Sequence, residues 1–83
     1  MNNFELVITC SLKAYELIID AINNSPWKMT DKKFKDFDKG YLYFEFDNEN
    51  IDAFTIEEIN YIYDQVHKIN EMGEQAAIRQ INY

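Results

Sequence analysis

The chain has 83 residues, of which 15 are acidic and 8 are basic, so its formal net charge is −7. This length predicts a single domain over residues 1–83, and the hydrophobic fraction of 47% predicts a packed core. Cys10 is the only cysteine, which excludes an intramolecular disulfide. The acidic balance argues against direct binding to nucleic acid or to an anionic membrane, because phosphate contacts need Lys and Arg. Without a signal-peptide pattern or a long apolar run, we expect a cytoplasmic protein.

The first two elements are predicted to be a strand and then a helix. Residues 4–10 alternate in polarity and are rich in β-branched side chains, which favours a strand. The alternative is one long helix over about residues 3–23, because Val7, Cys10 and Ala14 also fit helical spacing. Ser11 is placed to cap a helix from Leu12 to about residue 23, and Pro26 follows its end.

A β-hairpin is predicted in the middle of the chain. Residues 33–37 and 41–47 flank Asp38-Lys39-Gly40, a three-residue loop whose final Gly suits a type I turn with a bulge. In the second strand the even-numbered residues from Leu42 to Phe46 face one way. Tyr41, Tyr43 and Glu45 face the other way.

The second helix is predicted from a capping signal and a regular apolar face. Thr55 and Glu58 match a capping box, and Gly73 suits the position just after the helix. The predicted apolar face consists of Ile59, Ile62, Tyr63, Val66 and Ile69.

The tail, residues 76–83, fits either a fourth strand or more helix. A strand completes the order βαββαβ, which predicts an α+β fold of the ferredoxin-like kind, an antiparallel sheet with two helices on one face. A helical start and tail would instead give a helix–β-hairpin–helix.

The residues that carry chemistry favour neither catalysis nor metal binding. His67, the only histidine, lies at the edge of the apolar stripe of the second helix, where an ordinary helical histidine is expected. Residues 47–58 place acids at three positions of a calcium loop, but Ile51 and Asp52 occupy positions five and six, where a ligand and a glycine are needed. We therefore expect no enzyme activity, no metal and no cofactor.

The acidic residues are concentrated in one part of the chain. Residues 45–74 hold nine acids and one basic residue, Lys68, a net charge of −8. The residues predicted to bind a partner are Glu57, Tyr61, Asp64, Glu71, Glu74, Asp47, Glu49 and Asp52. Glu57, Asp64 and Glu71 recur every seven residues along the second helix, so they share one side of it. The alternative is an ordinary solvated helix face.

A second candidate surface is the face of the sheet that carries Tyr41, Tyr43 and Glu45. Aromatic side chains on an open sheet are typical of RNA-recognition modules, but the acidic charge and the lack of a basic aromatic run argue against RNA. Tyrosines also suit a protein-binding or self-association surface. The remaining interpretation is that they only cover the sheet.

In size, charge and Asn/Lys/Ile-rich composition the chain resembles the DNA-mimicking anti-restriction and anti-CRISPR proteins of bacteriophages. The resemblance rests on no motif and assigns no residue. It implies a small acidic inhibitor that occupies a basic, nucleic-acid-binding surface of a larger protein, in the host cytoplasm if phage-encoded. The alternatives are a self-associating structural or regulatory module, such as a homodimer, and an immunity protein or antitoxin.

Overall fold

The computed structural model describes residues 3–26, 34–38 and 41–83 of the chain. These described residues form four strands, two α-helices and one 3-10 turn. In chain order these are β1 (Asn3–Cys10), α1 (Leu12–Asn23), β2 (Phe34–Asp38), β3 (Tyr41–Asp47), the 3-10 turn (Asn48–Asn50), α2 (Ala53–Glu71) and β4 (Ala76–Asn82). Within the described residues, neither helix combines the length and apolar character that crossing a membrane requires.

The strands form one antiparallel sheet in the order β2-β3-β1-β4. The predicted α+β class is therefore confirmed, with an antiparallel sheet and two helices. The alternative helix–β-hairpin–helix is wrong, because residues 4–10 and the tail are both strands.

β1 occupies the centre of the sheet, and its position explains why the strand is formed instead of a helix. Leu6, Val7 and Ile8 are all buried, although successive residues of a strand point to opposite faces. With β3 on one side and β4 on the other, β1 also satisfies its backbone hydrogen-bonding groups on both edges. A helix over residues 3–23 would bury only one face of this segment.

One cluster of buried apolar side chains joins the sheet to both helices. The strands contribute alternate residues and each helix contributes one face: Phe4, Leu6, Ile8, Ala14, Ile18, Ile22, Leu42, Phe44, Phe46, Ile62, Val66 and Ile69. Because alternate residues of a strand share a face, both helices cover the same side of the sheet. The other side, called the open face below, carries the odd-numbered residues of β1 and β3.

The boundaries of α1 agree with the sequence prediction. The Ser11 side chain accepts a hydrogen bond from the backbone N–H of Ala14 at 3.2 Å, as expected of an N-cap. At the other end the Ser25 hydroxyl donates to the carbonyl of Ile22 at 2.8 Å, just before Pro26. The hydroxyl of Ser25 thus provides a hydrogen bond to one of the last backbone carbonyls of α1, which have no partner within the helix.

The start of α2 differs from the prediction. The N-cap is Asp52, whose carboxylate accepts from the backbone N–H of Thr55 at 2.8 Å, so the helix begins at Ala53. The predicted capping box of Thr55 and Glu58 is wrong, because both residues lie inside the helix and are buried. The helix therefore begins three residues earlier than predicted.

The end of α2 agrees with the prediction, whereas one residue of its apolar face does not. Gly73 adopts a φ of +91°, its N–H donates to Asn70, and the N–H of Glu74 donates to Ile69. These two bonds form a Schellman motif. Tyr63, predicted on the buried face, is 38% exposed, since it lies at the margin of the stripe.

The hairpin forms as predicted, with a different connection. β2 spans Phe34–Asp38, and Asp38 pairs with Tyr41, so the predicted three-residue loop that began at Asp38 is wrong. The register of the β2–β3 pair shifts between Asp36 and Asp38, so the irregularity lies within the strand. The predicted turn position of Gly40 lies outside the described residues.

Candidate functional site

The acidic face of α2, formed by Glu57, Asp64 and Glu71, points away from the core. All three side chains are exposed, and they lie on the side of the helix opposite the buried Ile62 and Val66. At 1.5 Å per residue, successive carboxylates are roughly 10 Å apart along the helix axis. The sequence spacing therefore places three charges in a line that solvent, or a partner, can reach.

Glu71 has a neighbour of its own on this face. Its Oε1 lies 2.8 Å from Nε2 of His67, one helical turn earlier, and both side chains are exposed. When protonated, His67 neutralises part of the charge at this end of the acidic face.

Tyr61 does not belong to the acidic face. It is half-buried, and its hydroxyl donates a hydrogen bond to the backbone carbonyl of Ala21 in α1 at 3.2 Å. Its position joins the two helices, so its main role in the fold is packing between them.

The acids before α2 are exposed and already have local bonds. The two Asp47 carboxylate oxygens accept from the backbone of Glu49 at 3.0 Å and from the side chain of Asn50 at 2.6 Å. Asp52 caps α2, as described above, and Glu49 projects into solvent. The bonds fix the position of the Asp47 and Asp52 carboxylates near the helix start without removing their charge.

Two further acids of residues 45–74, Glu74 and Glu58, are not fully exposed. Glu74 is half-buried and accepts from the Ser11 hydroxyl at 3.4 Å, which ties the end of α2 to the start of α1. Glu58 is only 3% exposed and faces the interior. The net acidity of residues 45–74 is therefore only partly available at the surface.

The second candidate surface lies on the opposite side of the molecule, on the open face. Tyr41 is 42% exposed, Tyr43 is half-buried and Glu45 is exposed. Because the sheet separates this face from the helices, a single flat partner surface cannot cover both Tyr41 and the acidic face of α2.

The open face also carries Glu5, Tyr83 and Arg79. Glu45 lies directly opposite Glu5 of β1, a like-charged pair that by itself is unfavourable. The Tyr83 hydroxyl donates a hydrogen bond to Glu5, and this bond is the main reason that the pKa of Tyr83 is raised. Arg79 lies in the next row, opposite Val7. The strand order β2-β3-β1-β4 brings these residues together on one face.

A cleft of about 500 Å³ opens where β1 begins and β3 ends. Its polar lining includes the carboxylates of Glu5, Glu45 and Asp47. Its apolar lining includes Phe4 and Phe46, whose stacked rings have centroids 5.2 Å apart. Three of the ten residues that line the cleft are therefore acidic.

The residues that carry chemistry are dispersed in the described part of the chain. No group of three or more His, Cys, Asp or Glu side chains is arranged to hold a metal ion there. Cys10 is half-buried on β1, and burial raises the pKa of its thiol, which makes the thiolate scarcer at neutral pH. His67 lies in the exposed part of α2.

Comparison of the chain with known protein families, with curated proteins and with solved structures finds no match.

Proposed function

We propose that this protein is a small acidic inhibitor that binds a basic, nucleic-acid-binding surface of a larger protein. The observation that carries the proposal is the line of Glu57, Asp64 and Glu71 on the outer face of α2. Their alignment opposite the buried stripe keeps all three charges in solvent, where their mutual repulsion costs stability unless a cationic partner relieves it.

The charge density of the line limits how the protein would imitate DNA. Glu57 to Glu71 spans about 21 Å of helix, and duplex DNA carries about twelve negative charges over that length. Three carboxylates are a sparse imitation of this. Affinity must therefore also come from neighbouring acids, such as Glu49 and Asp52, and from uncharged contacts.

The fold also supports a protein that presents the acidic face of α2 to a partner. We propose that the domain is a ferredoxin-like βαββαβ sandwich, supported by the strand order and by the shared core of the two helices. Because α2 packs on the sheet, the helix that carries these charges is already folded before a partner binds. We place this activity in the cytoplasm, which for a phage protein is that of the host.

We propose a binding protein in preference to an enzyme. Cys10 is a half-buried thiol whose pKa burial raises, and His67 is on the exposed part of a helix beside Glu71. An immunity protein or antitoxin would have the same kind of surface and differ in its partner.

The test begins with a pull-down from lysate over a series of salt concentrations to identify a retained protein. Binding of the purified pair should have a one-to-one stoichiometry, weaken as salt rises, and be displaced by the nucleic acid that the partner handles. Reversal of Glu57, Asp64 and Glu71 to Lys should abolish it.

A matched control separates the acidic face from total charge. Glu57→Lys with Asp64→Lys changes the net charge as much as Glu16→Lys with Asp20→Lys, two exposed positions on α1. The α2 pair should weaken binding strongly and the α1 pair little. Equal effects of the two pairs, or binding indifferent to salt, would contradict the proposal.

A further inference from the structure

The outer edge of β4 has a hydrogen-bonding pattern that the register determines. The N–H of Tyr83 donates to Asn3 and the N–H of Ser11 donates to Gln75, and both bonds join β4 or its flanks to β1. Residues alternate in an antiparallel ladder, so odd-numbered residues of β4 direct their backbone groups to β1. The even-numbered residues, Ala76, Ile78, Gln80 and Asn82, direct theirs outward.

The outward backbone groups of Ala76 already have hydrogen-bond partners. The Asn70 side chain of α2 donates to the Ala76 carbonyl at 2.7 Å and accepts from the Ala76 N–H at 3.2 Å. The carboxamide thus occupies the place of a neighbouring strand at this one position. Among the described residues, no comparable bond covers the backbone of Ile78, Gln80 or Asn82.

The side of α2 beside this edge is apolar. Ile56 and Tyr63 precede Asn70 by fourteen and seven residues, so they lie on the same line of the helix, and Asn70 fixes that line over β4. Their side chains are 50% and 38% exposed. Tyr63 and Ile56 lie about 10 Å and 21 Å along α2 from Asn70, because seven residues of helix advance about 10 Å.

We propose that this edge pairs with β4 of a second copy of the chain, antiparallel about a twofold axis at Gln80. In this register Ile78 faces Asn82 of the other copy, and Gln80 faces its own counterpart. All three uncovered residues are then paired. The uncovered residues 78, 80 and 82 are symmetric about Gln80, and this self-complementary pattern favours a second copy over an unrelated strand.

The charges also permit this contact. From Ala76 to Tyr83 the only charged residue is Arg79, and the proposed register places it opposite Ile81 of the other copy. Carboxylates therefore do not face each other across the strands, although each copy carries a net charge of −7. Because this long-range repulsion opposes association, added salt should strengthen the dimer. Salt should have the opposite effect on the partner binding proposed above.

Cysteine cross-linking tests the register. In a Cys10→Ser background, Gln80→Cys places two thiols in a hydrogen-bonded pair with Cα atoms about 5.5 Å apart, within the range for a disulfide. Asn82→Cys is the matched control, since both changes remove the bond between the Gln80 and Asn82 side chains. Its two copies would be about 14 Å apart.

Mild oxidation should give a covalent dimer with Gln80→Cys and little with Asn82→Cys. Equal yields, a higher yield for Asn82→Cys, or no dimer from Gln80→Cys would overturn the proposal.

Hydrogen exchange and sedimentation provide a test without cysteine. Raising the concentration of the native chain should convert monomer to dimer and slow exchange at the amides of Ile78, Gln80 and Asn82. The amides of Ala77 and Arg79 point to β1 and should be protected at every concentration. A chain that stays monomeric up to millimolar concentration, or a dimer in which the three outward amides exchange unchanged, would overturn the proposal.

Discussion

The hydroxyl of Tyr61 in α2 bonds to the backbone carbonyl of Ala21 in α1, 3.2 Å away, and joins the two helices over the sheet. Replacing Tyr61 by Phe removes this bond and keeps the ring. We expect the free energy of unfolding to fall by about 1 kcal/mol, the usual net value of one such bond. Urea denaturation measures the change.

The same variant separates the packing role of Tyr61 from binding. If Tyr61 acts through the fold, Tyr61→Phe should bind the partner protein as the native chain does at temperatures well below its unfolding transition. A large loss of affinity in a folded variant would instead place Tyr61 in the binding surface.

Asp52 combines a structural role with a charge, and two substitutions separate them. Asp52→Ala removes the N-cap of α2 and should destabilise the fold by about 1 kcal/mol. Asp52→Asn keeps an accepting oxygen, so stability should change by only a few tenths of that amount. Chemical denaturation of both variants measures the difference.

Asp52→Asn should affect partner binding more than it affects stability. Asp52→Asn removes the charge with little structural cost, so it should weaken binding and make it less dependent on salt. Affinity equal to that of the native chain would remove Asp52 from the acidic surface.

Asn70 should stabilise the start of β4. Asn70→Ala removes both side-chain bonds to Ala76, and we expect a loss of about 1 kcal/mol, because the site is exposed and water replaces part of the interaction. Asn60→Ala is the control, an exposed position on the same helix. If the two variants have equal unfolding midpoints in urea, the cap contributes no stability.

Alkaline pH should destabilise the protein through two groups. Burial raises the pKa of the Cys10 thiol from its ordinary value of 9.0, and the bond to Glu5 raises the pKa of Tyr83 from 10.0. Both groups therefore hold protons in the folded chain to a higher pH than in the unfolded chain. Above these ordinary values the unfolded chain binds fewer protons, so the free energy of unfolding falls as pH rises.

The measurement is the urea midpoint as a function of pH from neutral upward. Cys10→Ala and Tyr83→Phe should each flatten the alkaline decline, and the double variant should flatten it most. A decline that is identical in all four proteins would show that neither group is responsible.

Capping residues in the sequence predicted those helix ends that are determined by residues close in the chain. Ser11 and Gly73 have the predicted roles at helix ends, because an N-cap hydroxyl and a left-handed residue act within one turn of the helix. The start of α2 was predicted three residues late, since Asp52 and Thr55 are both good caps and only burial of Thr55 decides between them.

The candidate site was predictable to the extent that it follows from helical periodicity. Glu57, Asp64 and Glu71 share one face because seven residues make almost two turns. The inward position of Glu58, the bond from Tyr61 to Ala21 and the meeting of Glu5 with Glu45 depend on which elements are neighbours in space. No pattern within one segment contains that information.

The central position of β1 has a consequence for the biosynthesis of the protein. β1 is synthesised before β4, yet β1 needs β4 to cover one of its edges. A ribosome-bound chain that lacks β4 exposes Leu6-Val7-Ile8 beside an unpaired edge, the combination that promotes intermolecular strand pairing. Because this contact joins residues about seventy positions apart, the sheet can be completed only after synthesis of the tail. Premature termination within β4 should therefore lead to aggregation of the chain.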